Sequence, residues 1–135
     1  MISTRHLFRG RSIDDDHPWM YGSVCKEGET VFIILPEIFD EEGELMAQEV
    51  FSDSVGQCTG LRDRNGTLVF EGDIVDFGGD YGENEIVYAT GAFQAHRNGG
   101  IAPIRYFPLL NSEMLNAAVI GNTHDNPELP EGSVE

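Results

Sequence analysis

Apolar and polar positions show little helical periodicity along this chain, and turn-forming clusters interrupt it roughly every eight to twelve residues. That pattern predicts a mainly β protein. Arg5–Ile13 and Trp19–Cys25 are predicted strands, separated by Asp14-Asp15-Asp16-His17-Pro18, whose polarity and proline demand a loop. In the second strand Trp19, Tyr21, Ser23 and Cys25 share one face, and Met20 and Val24 the other. Lys26-Glu27-Gly28-Glu29 turns the chain into Thr30–Leu35, a β-branched and aromatic run suited to burial, and Pro36 is expected to end it. Asp40-Glu41-Glu42-Gly43 reads as a turn. Glu44–Val50 has helical propensity in a β context, and the context favours a strand.

The second half is more sharply punctuated. Asn65-Gly66 is the pair that type I′ hairpins prefer, because both central positions take positive φ. Leu68 and Phe70 alternate with Thr67 and Val69, and Glu71-Gly72-Asp73 is a tight turn into Ile74–Phe77. Glu85–Ala89 and Ala92–His96 flank Thr90-Gly91 as a short hairpin. Pro103 and Pro108 interrupt Ile101–Leu110, which therefore belongs at a sheet edge. Asn111–Ala118, capped by Ser112, is the one predicted helix, and Val119-Ile120 a last buried segment.

The 135 residues suffice for one domain, 1–135, with candidate subdomains 1–57 and 58–129 and a polar tail at 130–135. The longest apolar run, Val31–Leu35, falls far short of the roughly 18 residues a membrane span needs. The N-terminus leads into no apolar stretch of signal-peptide length, which argues against secretion. Cys25 and Cys58 lie in no CxxC and no ligand cluster; they read as reduced, semi-buried small hydrophobes, hence a cytosol.

Charge changes the picture most. Eight basic against 24 acidic residues give a formal −16, which repels phosphate and disfavours a broad nucleic-acid footprint. Arg5, Arg9 and Arg11 precede any acid, whereas residues 14–60 carry twelve acids against Lys26 alone. Solubility explains such acidity, and docking of a basic partner is the sharper alternative.

Tests for reactive chemistry fail one after another. Asp63-x-Asn65-Gly66 suggests a calcium loop, but Leu61 and Gly72 stand where an EF-hand needs Asp and Glu. Carboxylates adjacent in one loop, as in Asp14–Asp16, usually point apart. The histidines His6, His17, His96 and His124 lie in no HExxH or HxH, and GxSxG, GxGxxG and GxxxxGK[ST] are missing. Glu71 and Asp73 beside Gly72 suit turn hydrogen bonding better than acid–base work. Trp19 and Tyr21, with Tyr81, Tyr88, Phe93, Tyr106 and Phe107, are candidates for base stacking, but at this net charge core packing or a protein interface is favoured.

Thr59-Gly60-Leu61-Arg62-Asp63-Arg64-Asn65-Gly66, with Phe70-Glu71-Gly72-Asp73-Ile74-Val75, resembles the YopX family of phage and prophage proteins. Phe8-Arg9-Gly10-Arg11 with Trp19-Met20-Tyr21-Gly22 is similar to that family's N-terminal pattern, and Val119-Ile120-Gly121-Asn122 through Asn126-Pro127-Glu128-Leu129 to its C-terminal ending. Cys58 and His124-Asp125 depart from the pattern. The resemblance implies a mainly β fold with branching antiparallel sheets and brings no established activity. Together these readings favour a non-enzymatic, cytosolic accessory protein of a phage or prophage, without cofactor or bound metal. It would act on an unidentified protein partner, with self-association left open. Candidate binding residues are Arg9, Trp19, Tyr21, Glu71, Asp73 and Asn122. The alternatives are a small metal-assisted hydrolase using Glu71, Asp73, Asp76 or Asp14–Asp16, and a single-strand nucleic-acid binder using Arg5, Arg9, Arg11 and Trp19.

Overall fold

Most of the described residues lie in strands. The structure, a computed structural model, describes residues 6–14, 16, 18–78, 82–97, 105–108 and 116–126, with the backbone alone at 37 and 105–108. Its strands are β1 (Phe8–Arg11), β2 (Trp19–Glu27), β3 (Thr30–Phe39), β4 (Leu45–Val50), β5 (Gly56–Arg62), β6 (Leu68–Phe70), β7 (Asp73–Asp76), β8 (Glu83–Ala89), β9 (Ala92–Arg97), β10 (Arg105–Pro108) and β11 (Ala118–Asn122), with a 3-10 turn at Ser52–Ser54. They form two sheets, ordered β4-β3-β2-β1-β5-β6 and β10-β9-β8-β7-β11. Every described pairing is antiparallel. The chain divides into two compact units, 1–58 and 59–135.

In the first unit the sheet curls on itself. Ser12, just past β1, bridges Val50 at the end of β4. The Phe51 N–H donates to the Arg11 carbonyl at 2.9 Å and the Ile13 N–H to that of Glu49 at 3.2 Å. Ser54, in the 3-10 turn, secures the seam: its hydroxyl accepts from the Arg11 N–H at 2.8 Å and donates to the Phe51 carbonyl at 2.6 Å. Inside the curl Val31, Ile33 and Val50 form the core, with Phe8, Met20, Leu35 and Val55 packed against them. Curling this tightly needs missing side chains. A Cβ on Gly22 would run into the Ile34 backbone carbonyl oxygen, and one on Gly10 would lie 2.8 Å from a Val50 methyl.

The second unit is built around Val69, Val75, Phe77, Ile86, Ala95 and Ala117, with Leu61 and Val119 against them. Thr59 donates its hydroxyl to the Val69 carbonyl at 2.8 Å, tying β5 to β6. The β6–β7 turn is stitched to β8 and to the turn that follows β11. The Gly72 N–H donates to the Ile86 carbonyl and the Thr123 N–H to the Gly72 carbonyl, both at 2.8 Å.

The mainly β expectation holds, and several local ones need correction. β3 does not end at Pro36 but continues to Phe39, its register with β4 shifting between Ile34 and Phe39, where a residue without N–H is tolerated. Asn65-Gly66 is not a type I′ turn: Gly66 has φ +83°, whereas Asn65 is not among the positive-φ residues. The Asp63 carboxylate captures the Asn65 and Thr67 N–H groups at 2.9 Å and holds a longer loop with glycine at its left-handed end. Left-handed geometry at both central positions occurs instead at Thr90-Gly91, φ +50° and +83°. Ile120 is not buried but 43% exposed, because a register shift between Val119 and Gly121 turns it outward. Cys58 is fully buried and Cys25 exposed, so the pair is not uniformly semi-buried. β10, which carries Pro108, stands at a sheet edge as expected. The helix predicted at Asn111–Ala118 falls largely on residues 111–115, outside those described, and Ala118 opens β11.

Candidate functional site

Three of the predicted binding residues meet in the first unit. The β1–β2 register sets Arg9 opposite Tyr21 and Arg11 opposite Trp19. Alternation then puts all four side chains on one face, while Phe8, Gly10, Met20 and Gly22 take the other. The Arg9 guanidinium carbon lies 4.6 Å and that of Arg11 5.4 Å from the Trp19 ring centroid. Cation–π pairs of this kind contribute about 0.5–1 kcal/mol, and about 2 when desolvated. Arg9 is buried, which places its pair in the stronger class, and Tyr21 is exposed beside it. The π surface that a nucleobase would need on Trp19 is thus already engaged by guanidinium. Arg5, the third N-terminal arginine, lies outside the described residues.

Also in this unit, Val24, Lys26, Glu29, Val31, Ser52 and Val55 line an open concavity of about 710 Å³. Among the described residues its charged groups are one lysine and one carboxylate.

The other predicted residues belong to the second unit. Asp73 is buried and its Oδ2 accepts from the Phe70 N–H at 2.7 Å, closing the Glu71-Gly72 turn. Asn122 pairs with Asp73 across β7–β11. Its Oδ1 accepts from the Asp125 N–H at 2.8 Å, and its Nδ2 donates to an Asp125 carboxylate oxygen at 3.1 Å. Asp73 and Asn122 therefore shape turns.

Two groups escaped the sequence reading. Asp63 accepts a third N–H, that of Val119, on Oδ2 at 2.9 Å, joining the β5–β6 loop to β11. Burial alone would push its carboxyl up, but these N–H bonds and the Arg64 charge outweigh it and hold the carboxyl below its ordinary range. Glu85, opposite His96 across β8–β9, is shifted the other way: burial pushes its carboxyl up, opposed by His96 and reinforced by the charge of Glu71. The clue to this pair was in the sequence. A two-residue turn at Thr90-Gly91 sets Ala89 against Ala92 and, counting back, Glu85 against His96. Among the described residues no group of three or more His, Cys, Asp or Glu is arranged to hold a metal ion. Asp15 and His17 lie outside them.

The sequence matches the family described as "YopX protein" over residues 11–131. The chain belongs to the YopX family. Among solved structures it is similar to the crystal structure of protein EF1440 from Enterococcus faecalis, with a TM-score of 0.53 and 24% identity over 95% of this chain and 96% of that one. At this identity the likeness establishes a shared fold. No curated protein matches the sequence. The segments that carry the YopX resemblance map here onto structural roles: Asp63 and Asp73 on turn backbones, Gly10 and Gly22 at close strand approaches, Asn122 at the turn after β11.

Proposed function

We propose that this YopX chain is a non-enzymatic protein-binding module that serves a phage or prophage in the bacterial cytoplasm. The observation that carries the reading is an exposed apolar cluster at the β3–β4 hairpin end. Ile38, Phe39, Leu45 and Met46 are 48%, 58%, 52% and 42% exposed, and the cross-strand pair Phe39–Leu45 places two of these large apolar side chains together on one face, the kind of exposed apolar surface that marks interaction sites. The polar candidates support the same view, since Asp73 and Asn122 bind turns and Arg9 packs on Trp19. The test is affinity capture by the full chain from a lysate of a bacterium carrying a YopX-bearing prophage. A stoichiometric protein partner is expected, its retention falling as salt shortens the screening length to about 8 Å near 0.15 M. Recovery of chaperones alone, with a monomeric chain in light scattering, would overturn it.

A further inference from the structure

Resting on the protein-binding reading, we infer that the outer edge of β4 is a docking strand for an extended, basic segment of the partner. β4 is the terminal strand in its sheet order. Its backbone direction follows from two hydrogen bonds: the Glu44 carbonyl accepts from the Asp40 N–H at 2.8 Å, on the β3 side, and the Glu49 carbonyl accepts from the Ile13 N–H at 3.2 Å, on the far side. Backbone groups alternate along a strand, so Met46 and Gln48 bond toward β3 while Leu45 and Ala47 direct N–H and C=O away from it. Ser12 and Ile13 close this far edge at Val50 and Glu49. Among the described residues no strand pairs with it at Leu45–Gln48.

Natural sheets protect such an edge with lysine, proline or a covering loop. This one displays Leu45 and its cross-strand partner Phe39, both more than half exposed. An added strand satisfies the Leu45 and Ala47 backbone, and its side chains meet the Phe39–Leu45 surface. Charge selects the occupant. Asp40, Glu41, Glu42 and Glu44 adjoin the edge, and from residue 27 to 61 the chain carries nine acids and no Lys, Arg or His. Asp40 Oδ1 accepts the Glu42 and Glu44 N–H groups at 2.9 and 3.0 Å, which holds this acidic turn in place. A second copy of the chain, at −16, would bring like charge to like. A segment alternating Lys or Arg with β-branched residues complements both the edge and its field.

The experiment titrates the full chain with a fluorescein-labelled peptide of about eight residues, close to natural strand length, alternating Lys with Val and Thr, and with its Glu-for-Lys counterpart. Anisotropy is expected to rise with the basic peptide only and to weaken from about 10 mM to about 0.15 M salt as screening shortens. Ala47→Pro deletes an outward N–H while sparing the β3 pairing, and is expected to weaken binding roughly tenfold or more, about 1.4 kcal/mol. The double variant Phe39→Thr/Leu45→Thr keeps the edge, removes the apolar contact, and is expected to weaken binding as well. Circular dichroism verifies that both remain folded. Equal binding of the acidic peptide, full binding by both variants, or a wild-type dimer that Ala47→Pro converts to monomer would overturn the inference. Retention by Ala47→Pro of the partner captured from lysate would overturn the edge assignment alone, whereas no capture by the wild type would remove the protein-binding reading beneath it.

Discussion

Asp63→Asn exchanges one carboxylate oxygen for an amide nitrogen at the junction of the β5–β6 loop and β11. Oδ1 serves the N–H groups of the exposed residues Asn65 and Thr67, which the amide oxygen of Asn can still accept. Oδ2 serves the half-buried Val119 N–H, where an amide NH2 would set donor against donor. A hydrogen bond to a charged group contributes about 1.5–3 kcal/mol, and an orphaned buried donor adds to the loss, so a penalty of about 2–4 kcal/mol is expected. For a chain of this size that lowers the melting temperature by roughly 6–14 °C. Calorimetry at neutral pH measures it, and a pH series checks the cause. Because the folded carboxyl is held below its ordinary value of 3.8, the stability it confers is fully present above that value. It is lost as the pH falls through the lowered folded value, so the gap between wild type and variant narrows only in acid. A variant that melts with the wild type at neutral pH, or a gap that widens on acidification, would refute the reasoning.

Two further outcomes follow from the geometry. Gly22→Ala forces a Cβ against the Ile34 carbonyl and is expected to destabilise by about 1–3 kcal/mol, read as a lowered midpoint in urea. Glu85→Gln removes a charge that burial and Glu71 disfavour; because the folded carboxyl is raised, wild-type stability falls as the pH climbs from the ordinary glutamate value, about 4.3, through the folded one. The variant should therefore melt above the wild type at neutral pH and with it below about pH 4, as thermal melts at the two pH values will check.

Strand positions were legible because turn-forming clusters bound them and because, in strands such as β8, alternate side chains are buried. Trp19 and Tyr21 could be assigned to one face by alternation, whereas Arg9 joins them only through the β1–β2 register. What failed depended on side-chain and cross-strand partners that local propensity does not record. The Asp63 carboxylate, not the Asn-Gly pair, determines its loop, and pairing statistics carry no record of an aspartate reaching Val119. Pro36 is harmless where the register of β3 shifts, a feature that exists only once β4 lies alongside. The exposed edge of β4 required sheet order, which local propensity does not contain. Glu85 and His96 were within reach through the register of the Thr90-Gly91 turn.

The seam at Ser12 and Val50 has a consequence for the order in which the first unit assembles. β1, β2, β3 and β4 form a meander of neighbours that can zip through short hairpins, whereas the seam joining β1 to β5 and to the end of β4 must close across most of the unit. Closure of that seam is thus the late event, and truncation of the first dozen residues would leave a springy, open meander with Phe8 gone from its interior and no stave to shut it.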